Sequence, residues 1–430
     1  MSRVALALIL VTALTARLVN AFWLPGQGGD LVVSDMKGYD SAALALLQQK
    51  PLPVHTAERY LFHPLGSDTY HPPGYYYFLA VVYAGLGHSY LAVRAVQAVV
   101  DTLTCLLIYL IGKTVFGEAA GLLASAVASV YPPLIFYTGV LLTETLSTFS
   151  LAAATWFLLR ASRDLRRRHR HLVLAGLLLG LAAWTRSALL VVLPIMLLWL
   201  LFVAERWPGW ARAGRYTISL CAPALLVILP VTVRNYQIHH KFVLISTNGG
   251  VNFFLGHGGN NNWKNQIRNI PADYQEGDSL VGISTRTATE EEAYFYQLGW
   301  EYIRRHPVRT LVTLPLKFRQ MYWDSDYWPA TEAQARLHRA VDQIAWRLLL
   351  LPLCILGLIG FVLRKQDPGS QRSAQAVLLY GIVLSSTAIP VVFWAQTRFR
   401  LPFVPYFIVL ATGAVAEFYL RLRRPQPASV

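Results

Sequence analysis

The stretch AAGLLASAVASVYPPLIFYTGVLLTETLSTFSLAAATWFLLR, residues 119–160, is apolar over about twice the length that one helix needs to cross a bilayer. Pro132 and Pro133 lie near its middle, and basic residues lie beyond both of its ends. Because basic residues favour the cytoplasmic side of a membrane, both ends are expected inside and the centre outside. The stretch therefore predicts two membrane helices joined by an outward turn near residues 137–143, and it places Glu144 at the outer surface.

The composition of the whole chain agrees with a membrane protein. Of 430 residues, 55% are hydrophobic and 14% are charged, which argues against a water-soluble multidomain protein. Lys and Arg number 38 against 23 Asp and Glu, and the excess lies in short clusters beside apolar runs without any nucleic-acid motif. We therefore assign the charge to membrane orientation and expect no nucleic-acid partner. The cysteines, Cys105, Cys221 and Cys354, show neither metal-ligand spacing nor a disulfide framework.

Apolar runs with basic flanks predict an all-α polytopic protein of about ten transmembrane helices, with both termini in the cytoplasm. No convincing cleavage site follows the first run, so we expect an uncleaved helix rather than a signal peptide. The predicted spans are residues 4–23, 90–111, two halves of 119–160, two halves of 171–204, 216–233, 346–363, 377–394 and 401–419. The second of these pairs is expected to break outward at Trp184-Thr185-Arg186.

Two segments, residues 24–89 and 235–344, are predicted on the outer side. In the first, apolar spacing from Tyr39 to Leu47 and the run after His71 predict juxtamembrane helices. In the second, we expect a helix over residues 290–305, ended by Pro307. Its glycines predict turns, at Gly249, Gly250, Gly256, Gly258 and Gly259, followed by Asn260 to Asn262.

This topology gathers a set of polar residues on the outer face, although it was drawn only from apolar length and basic flanks. The set is Asp35, Asp40, His71, Glu144, Arg186, Arg234, Arg398 and Arg400. Two acids near one site can separate into a general base and a partner that orients it or raises its pKa. Asp35 is alternatively a helix N-cap or a solvated loop acid, and Glu144 a helix start.

The cations of this set favour an anionic partner. Arginines on the outer side oppose the usual charge bias, and guanidinium groups match phosphate oxygens. His71 either binds phosphate, metal or substrate, or is a loop histidine before a Pro-Pro helix start. Arg94 either joins the set or pairs with Asp101 seven residues later on the same helix, and we favour the pair.

Several short motifs carry a family resemblance. They are Asp35 with Tyr39, His71-Pro72-Pro73-Gly74-Tyr75, Leu142-Thr143-Glu144, Gly180 to Arg186, Arg234-Asn235-Tyr236 and, near the C-terminus, the Arg-Phe-Arg-Leu-Pro-Phe run that begins at Arg398. In this order they resemble bacterial members of glycosyltransferase family 39, which have the GT-C membrane fold and include protein O-mannosyltransferases and lipid A aminoarabinose transferases.

The resemblance implies catalytic roles for Asp35 and Glu144, a polyprenyl-phosphate-linked sugar donor, and inversion at the anomeric carbon. The acceptor hydroxyl would belong to a protein, a lipid or a cell-envelope glycan. We expect the substrate to contact Tyr39, Asp40, His71, Tyr75, Arg94, Arg186, Arg234, Asn235, Arg398 and Arg400. Aminoarabinose transferases carry Glu-Lys where this chain has His71-Pro72, so no local lysine is available for phosphate. We assign no cofactor, and a divalent metal near Asp35, His71 and Glu144 stays open.

On this interpretation the chain has three parts and resides in the inner membrane. Residues 1–234 form a GT-C type transmembrane module whose first extracytoplasmic loop is 24–89. Residues 235–344 form an extracytoplasmic region that covers the sugar, its Gly/Asn-rich part acting as a mobile lid. Residues 345–430 form C-terminal transmembrane helices.

The main rival from another class is a transporter or flippase of a lipid-linked or small polar substrate. A transport path predicts polar residues through the whole bilayer depth. In this chain they concentrate on one face, with Asp101 the main exception. A second rival is an enzyme of the same fold that joins or polymerises lipid-linked glycans, whereas a structural scaffold leaves the one-sided acids and arginines unexplained.

Overall fold

The computed structural model describes residues 2–26, 32, 35–48, 69–257, 287–325, 327, 332–363 and 371–422, and these ranges are helical without any strand. In chain order the α-helices are α1 (Ser2–Gly26), α2 (Asp35–Leu47), α3 (Gly74–Leu86), α4 (Tyr90–Phe116), α5 (Glu118–Val130), α6 (Pro132–Thr138), α7 (Glu144–Arg163), α8 (Arg168–Thr185), α9 (Val192–Leu198), α10 (Trp210–His239), α11 (Gly249–His257), α12 (Ala288–Arg305), α13 (Pro307–Tyr322), α14 (Glu332–Ile344), α15 (Leu351–Leu363), α16 (Gln371–Ser385), α17 (Ala388–Val392) and α18 (Val404–Leu422). Short 3₁₀ segments precede α9 (Ser187–Val191) and α18 (Thr397–Phe403), and π-type turns follow α9 (Trp199–Ala204) and precede α15 (Ala345–Leu350).

Most of the predicted spans meet the length and apolarity of a membrane helix. Within the described residues, seven helical segments do so, or eight if α5 and α6, which bend by 53° at their junction, count as one span. The two remaining predicted spans form α7 and α8, whose charged ends lower their mean hydropathy. The multi-pass helical architecture is therefore confirmed, while the count of ten and the cytoplasmic position of the termini stay predictions.

The two breaks predicted from local sequence are present. The turn expected near residues 137–143 lies between the end of α6 at Thr138 and the start of α7 at Glu144. A further break lies at Tyr131, which separates α5 from α6 with an extended backbone (φ −73°, ψ 117°), as expected for a residue before proline. Arg186 separates α8 from the following 3₁₀ segment, again with an extended backbone. These breaks place Glu144 and Arg186 at helix ends rather than in helix interiors.

Glycine allows α8 and α10 to approach each other closely. A Cβ atom at Gly176 would lie 2.2 Å from the Leu220 carbonyl oxygen, and one at Gly180 would lie 2.7 Å from that of Ala224. Small residues four apart are a common way to bring membrane helices together. This contact fixes the end of α8, from which Arg186 extends.

Two charges buried within the span helices α1 and α4 form an internal ion pair. Arg17 Nε of α1 donates to Asp101 Oδ2 of α4 at 2.5 Å, and its other nitrogens donate to the Ala13, Ala128 and Ser129 carbonyls. The expected pairing of Asp101 with Arg94 was wrong, because seven residues rise about 10 Å along an α-helix and separate the two side chains too far.

The glycines at 249, 250 and 256 form helix α11 rather than the predicted turns. A Cβ at Gly250 would lie 2.1 Å from the Glu292 carbonyl oxygen, and one at Gly256 would lie 2.5 Å from the Phe393 carbonyl carbon. Here glycine provides close packing of α11 on α12 and on the end of α17. The predicted helix over 290–305 is α12, opened by a capping box between Thr287 and Glu290. The expected turns and lid at 258–262 lie outside the described residues.

Candidate active site

Four charged side chains from distant parts of the chain meet in one cluster. Asp35 is the first residue of α2, Glu144 the first of α7, Arg186 follows α8, and Arg398 lies in the 3₁₀ segment before α18. Arg398 Nη2 lies 3.4 Å from Asp35 Oδ2, and Arg398 Nη1 lies 3.8 Å from Glu144 Oε1. Arg186 Nη2 lies 3.2 Å from the same Glu144 oxygen. All four had been predicted as site residues, and we name this group the four-residue cluster.

Burial within the four-residue cluster is uneven. The Glu144 side chain is 1% exposed, whereas that of Asp35 is 22% exposed. Asp35 is therefore the carboxylate more accessible to a ligand, and Glu144 is buried beneath the two arginines. Two carboxylates and two guanidinium groups balance, so the formal net charge of the cluster is zero, as a buried group of charges requires.

Two atoms of the cluster keep an unused hydrogen-bonding position. Within the described residues, Glu144 Oε2 and Arg186 Nη1 are buried without a hydrogen-bond partner. Buried polar atoms are nearly always bonded, because leaving one unsatisfied costs about 1–3 kcal/mol. An acceptor and a donor left open within one cluster are suited to a polar ligand.

Phe399 orients the two arginines. The guanidinium carbons of Arg186 and Arg398 lie 5.0 and 5.5 Å from the centre of its ring. Arg398 Nε also donates to Gln396 Oε1 at 2.7 Å. The ring contact and the hydrogen bond together hold the Arg398 guanidinium between the carboxylates of Asp35 and Glu144.

An aromatic wall borders the cluster on the side of α2 and α3. The Tyr39 ring centre lies 4.9 Å from that of His71 and 5.0 Å from that of Tyr75. Burial, followed by the charges of Asp35 and Glu144, raises the pKa of Tyr39 well above its usual range. Tyr39 therefore stays protonated and keeps a hydroxyl donor beside the carboxylates.

The turn before Glu144 is held by side chains of α4. Tyr75 donates its hydroxyl to Gln97 Oε1, and the Gln97 amide donates to the carbonyls of Thr138 and Val140. Arg94 Nε donates to the Gly139 carbonyl at 2.9 Å. Tyr75 and Arg94 were predicted to contact substrate, but these bonds place them behind Glu144, where they support its position.

The structure does not bring three other predicted residues, Asp40, Arg234 and Asn235, to the cluster. Asp40 accepts hydrogen bonds from Tyr83, Tyr90 and His88, which fasten α2 to α3 and α4. Asn235 donates to the carbonyls of Val243 and Ile245, and the half-buried Arg234 contacts Asn235. These contacts hold the chain beyond α10 against its last turns.

Arg400 also lies apart from the cluster, although only one residue separates it from Arg398. It is fully buried, donates to Asp342 Oδ2 at 2.9 Å, and lies 4.1 Å from the centre of the Trp346 ring. Asp342 in turn accepts from the Tyr131 hydroxyl. The expected contact of Arg400 with a donor phosphate is not supported, because its guanidinium is enclosed by this internal network.

The carboxylates do not form a metal site with His71. Arg398 lies between Asp35 and Glu144, where its positive charge occupies the position a cation would take. The His71 ring packs against Tyr39. Among the described residues, no group of three or more His, Cys, Asp or Glu side chains is arranged to hold a metal ion.

Sequence reasoning missed Phe399, Gln396 and Gln97. It also missed Lys317 and His257, which lie near helix α17 and the residues that follow it. Phe399 stands between two predicted arginines, so its position was a usable signal. The others lie in segments whose contacts depend on the packing of distant helices, and nothing local distinguishes them.

Comparison with known proteins identifies the class of fold. Residues 70–233 match the family described as dolichyl-phosphate-mannose-protein mannosyltransferase. The Archaeoglobus fulgidus oligosaccharyltransferase in its apo form is 15% identical, with a TM-score of 0.61 over 98% of this chain and 51% of that one. Archaeal AglB from the same organism, in complex with an inhibitory peptide and a dolichol-phosphate, is also 15% identical, with a TM-score of 0.60 over 97% and 50%.

ArnT from Cupriavidus metallidurans, bound to undecaprenyl phosphate, is 13% identical over 96% of this chain and 77% of that one, with a TM-score of only 0.46. No curated protein matches the chain. The chain spans about half the length of the archaeal structures it matches. It has the GT-C type fold of membrane glycosyltransferases. The segment that matches the mannosyltransferase family carries His71, Glu144 and Arg186, and thus half of the four-residue cluster.

Proposed function

We propose that the chain is an inverting glycosyltransferase that moves a sugar from a polyprenyl-monophosphate carrier to an acceptor hydroxyl on the extracytoplasmic side. The observation that carries the proposal is the four-residue cluster, in which the partly exposed Asp35 carboxylate contacts Arg398, and the buried Glu144 carboxylate contacts both Arg398 and Arg186. The matched family is described by a dolichyl-phosphate-mannose donor, and a protein of the same fold has been solved with a dolichol-phosphate. Both descriptions favour a lipid phosphate as the sugar carrier.

Asp35 is suited to act as the general base. It is the more exposed carboxylate of the two, so an acceptor hydroxyl reaches it first. Asp35 takes the proton of that hydroxyl while the oxygen attacks the anomeric carbon from the side opposite the phosphate. The bond from carbon to the phosphate oxygen breaks, and its electron pair leaves with the polyprenyl phosphate. General base catalysis of this kind contributes about 100- to 10,000-fold in rate.

Arg186 and Arg398 are suited to the leaving group. Negative charge grows on the phosphate as the glycosidic bond breaks, and fixed guanidinium donors stabilise such charge. Glu144 is a positioning residue, because it holds both arginines from below. The open Nη1 of Arg186 is a ready donor to a phosphate oxygen.

The part of the aromatic wall formed by Tyr39 and His71 would border the sugar. Sugar rings present C–H faces to aromatic rings and hydroxyls to polar edges, and Tyr39 offers both. We place the cluster on the extracytoplasmic side of the inner membrane, with residues 235–344 above it and both termini inside. The acceptor belongs to a protein, a lipid or a cell-envelope glycan.

A transport function finds little support in the residues that first suggested it. Asp101 is the polar residue at bilayer depth that a transport path would use, but it is paired with Arg17. The Arg17 guanidinium is in turn saturated by helix carbonyls. A charge fixed in this way is suited to joining helices rather than to carrying a substrate.

The proposal is tested with purified protein in lipid nanodiscs and a panel of polyprenyl-phosphate sugars. Time-dependent release of polyprenyl phosphate with one donor is the expected result. Asp35→Asn should abolish release while protein yield and donor binding stay unchanged. Asp164→Asn is the matched control, since Asp164 caps the far end of α7 and should leave release at the wild-type rate. Normal release by Asp35→Asn removes Asp35 from the mechanism.

A further inference from the structure

Lys317 of α13 is a buried cation that the mechanism above does not use. Its residue is 1% exposed, and within the described residues its ammonium nitrogen has no hydrogen-bond partner. Burial lowers the pKa of Lys317 to about 8, so the side chain still carries a charge near neutral pH. A buried charge without a partner is costly, and a protein keeps one where a ligand or a reaction requires it.

The orientation of α13 makes this burial unusual. The helix exposes one apolar stripe, formed by Val308, Leu311, Val312 and Leu316. Such a stripe is typical of a helix that lies on a membrane surface, where lysines normally extend toward water. Lys317 instead points into the protein, away from the stripe.

Helix α13 packs against the 3₁₀ segment that carries Arg398. Lys317 lies one turn before Gln320 and Met321, whose main-chain carbonyls contact this segment. Thr397 donates to the Gln320 carbonyl, and Arg400 donates to that of Met321. Lys317 therefore lies one helical turn from the part of α13 that contacts the segment carrying Arg398.

His257 of α11 lies near the Lys317 charge and has an open nitrogen. Its Nε2 lies 3.0 Å from the Val392 carbonyl oxygen, which can only accept, so Nε2 carries the proton and Nδ1 is an acceptor. Within the described residues Nδ1 has no partner. Burial, followed by the charge of Lys317, lowers the pKa of His257 to about 4, so the ring is neutral at pH 7.

A bound donor brings a negative charge that the four-residue cluster does not offset. A sugar joined to a polyprenyl phosphate carries one negative charge, and the released monoester carries about −1.5 to −2. The four-residue cluster is formally neutral until Asp35 takes the acceptor proton, so it supplies no excess positive charge for the bound donor. Lys317 offers one charge, next to the segment that carries Arg398.

We propose that Lys317 is the cation of an anion-binding subsite that takes the phosphate of the polyprenyl carrier, with its ammonium donating to the phosphate oxygens. His257 is neutral and its Nδ1 can only accept, so it positions the Lys317 ammonium by accepting from it and does not bind the anion itself. This inference rests on the proposed function for the lipid that it names. It adds a cation that offsets the charge of the bound carrier, a role that no local sequence signal indicated for Lys317.

The test measures binding to the full chain in nanodiscs, without any sugar donor and therefore without turnover. The probes are polyprenyl phosphate, the matching polyprenol and inorganic phosphate. Lys317→Met should bind polyprenyl phosphate at least about tenfold more weakly than wild type, because a charge-assisted hydrogen bond is lost. Polyprenol should bind both proteins alike, and Lys317→Arg should keep most of the affinity. Lys241→Met, at an exposed lysine, is the control and should behave as wild type.

Stability distinguishes a ligand-directed lysine from a structural one. Without lipid, Lys317→Met should unfold at the same temperature as wild type or a higher one, because it removes an uncompensated buried charge. Wild-type affinity of Lys317→Met for polyprenyl phosphate overturns the subsite. Inorganic phosphate that binds wild type as tightly as the lipid does overturns the carrier assignment. Either result leaves the proposed function standing if Asp35→Asn still abolishes sugar transfer.

Discussion

Arg398 Nη2 lies 3.4 Å from Asp35 Oδ2, although 363 residues separate the two in the sequence. Asp35 begins a helix shortly after the first span, and Arg398 precedes the last one. The pair forms only when the C-terminal helices pack against the N-terminal half. The candidate base and one of its arginines are therefore assembled by the complete membrane fold.

Replacing Arg398 should affect turnover more than folding. We expect Arg398→Ala to lower kcat for a polyprenyl-phosphate sugar at least about a hundredfold, because a fixed donor to the developing charge is lost. The kcat of Arg398→Lys should lie between those of wild type and Arg398→Ala, since lysine keeps the charge but cannot bridge two carboxylates. Arg305→Lys, on the exposed face of α12, is the control. A wild-type kcat in Arg398→Ala would assign Arg398 to anchoring alone.

Glu144→Gln should separate donor binding from turnover. The change removes a buried negative charge, so the cluster becomes positive and polyprenyl phosphate should bind at least as tightly as to wild type. Arg186 and Arg398 lose the carboxylate that positions them, and kcat should fall by about a hundredfold. Kinetics with a varied donor concentration measure both effects. Glu301→Gln serves as the control, and a loss of lipid affinity in Glu144→Gln would contradict a positioning role.

Local signals in the sequence were enough to predict most helices and their breaks. Pro132 disfavours a helical Tyr131, and the basic flanks set the expected side of each end. The same signals predicted Asp35, Glu144, Arg186 and Arg398 on one face, and the structure brings these four together. The side of the membrane on which a residue lies does not change when a predicted helix end is wrong by one or two residues.

Side-chain direction could not be predicted in the same way. Arg398 and Arg400 lie in a 3₁₀ helix, where each residue turns by about 120°, so residues two apart point to different sides. One therefore enters the cluster and the other reaches Asp342. The partner of Asp101 was likewise set by the packing of α1 on α4. Lys317 was missed because an apolar stripe predicts that the lysine beside it faces water.

The Arg17 and Asp101 pair should matter for stability and not for chemistry. Asp101→Asn leaves the Arg17 charge buried without its counter-ion, which should cost roughly 3–5 kcal/mol. We expect a lower thermal unfolding midpoint in detergent, while the folded protein keeps its kcat. The double change Arg17→Met with Asp101→Leu should recover most of the loss, because no charge is left unpaired. A double variant less stable than Asp101→Asn would contradict this account.

Lys317 should give the protein a distinctive dependence of stability on pH. Burial lowers its pKa from the ordinary 10.5 to about 8, so between these values the unfolded chain binds more protons at this residue than the folded chain. The free energy of unfolding of wild type should therefore rise with pH across that window, relative to Lys317→Met. His257 titrates near pH 4 and does not contribute there.

The measurement is the difference between wild type and Lys317→Met in chemical unfolding, from pH 7 to pH 10.5, without lipid. Lys241→Met controls for the loss of a lysine that is exposed and should show no such trend. The same deprotonation should weaken the binding of polyprenyl phosphate above about pH 8, because the ammonium that donates to the phosphate becomes neutral. A difference in stability that stays constant over this range would mean that Lys317 keeps its ordinary pKa, and that its charge is compensated by the protein itself.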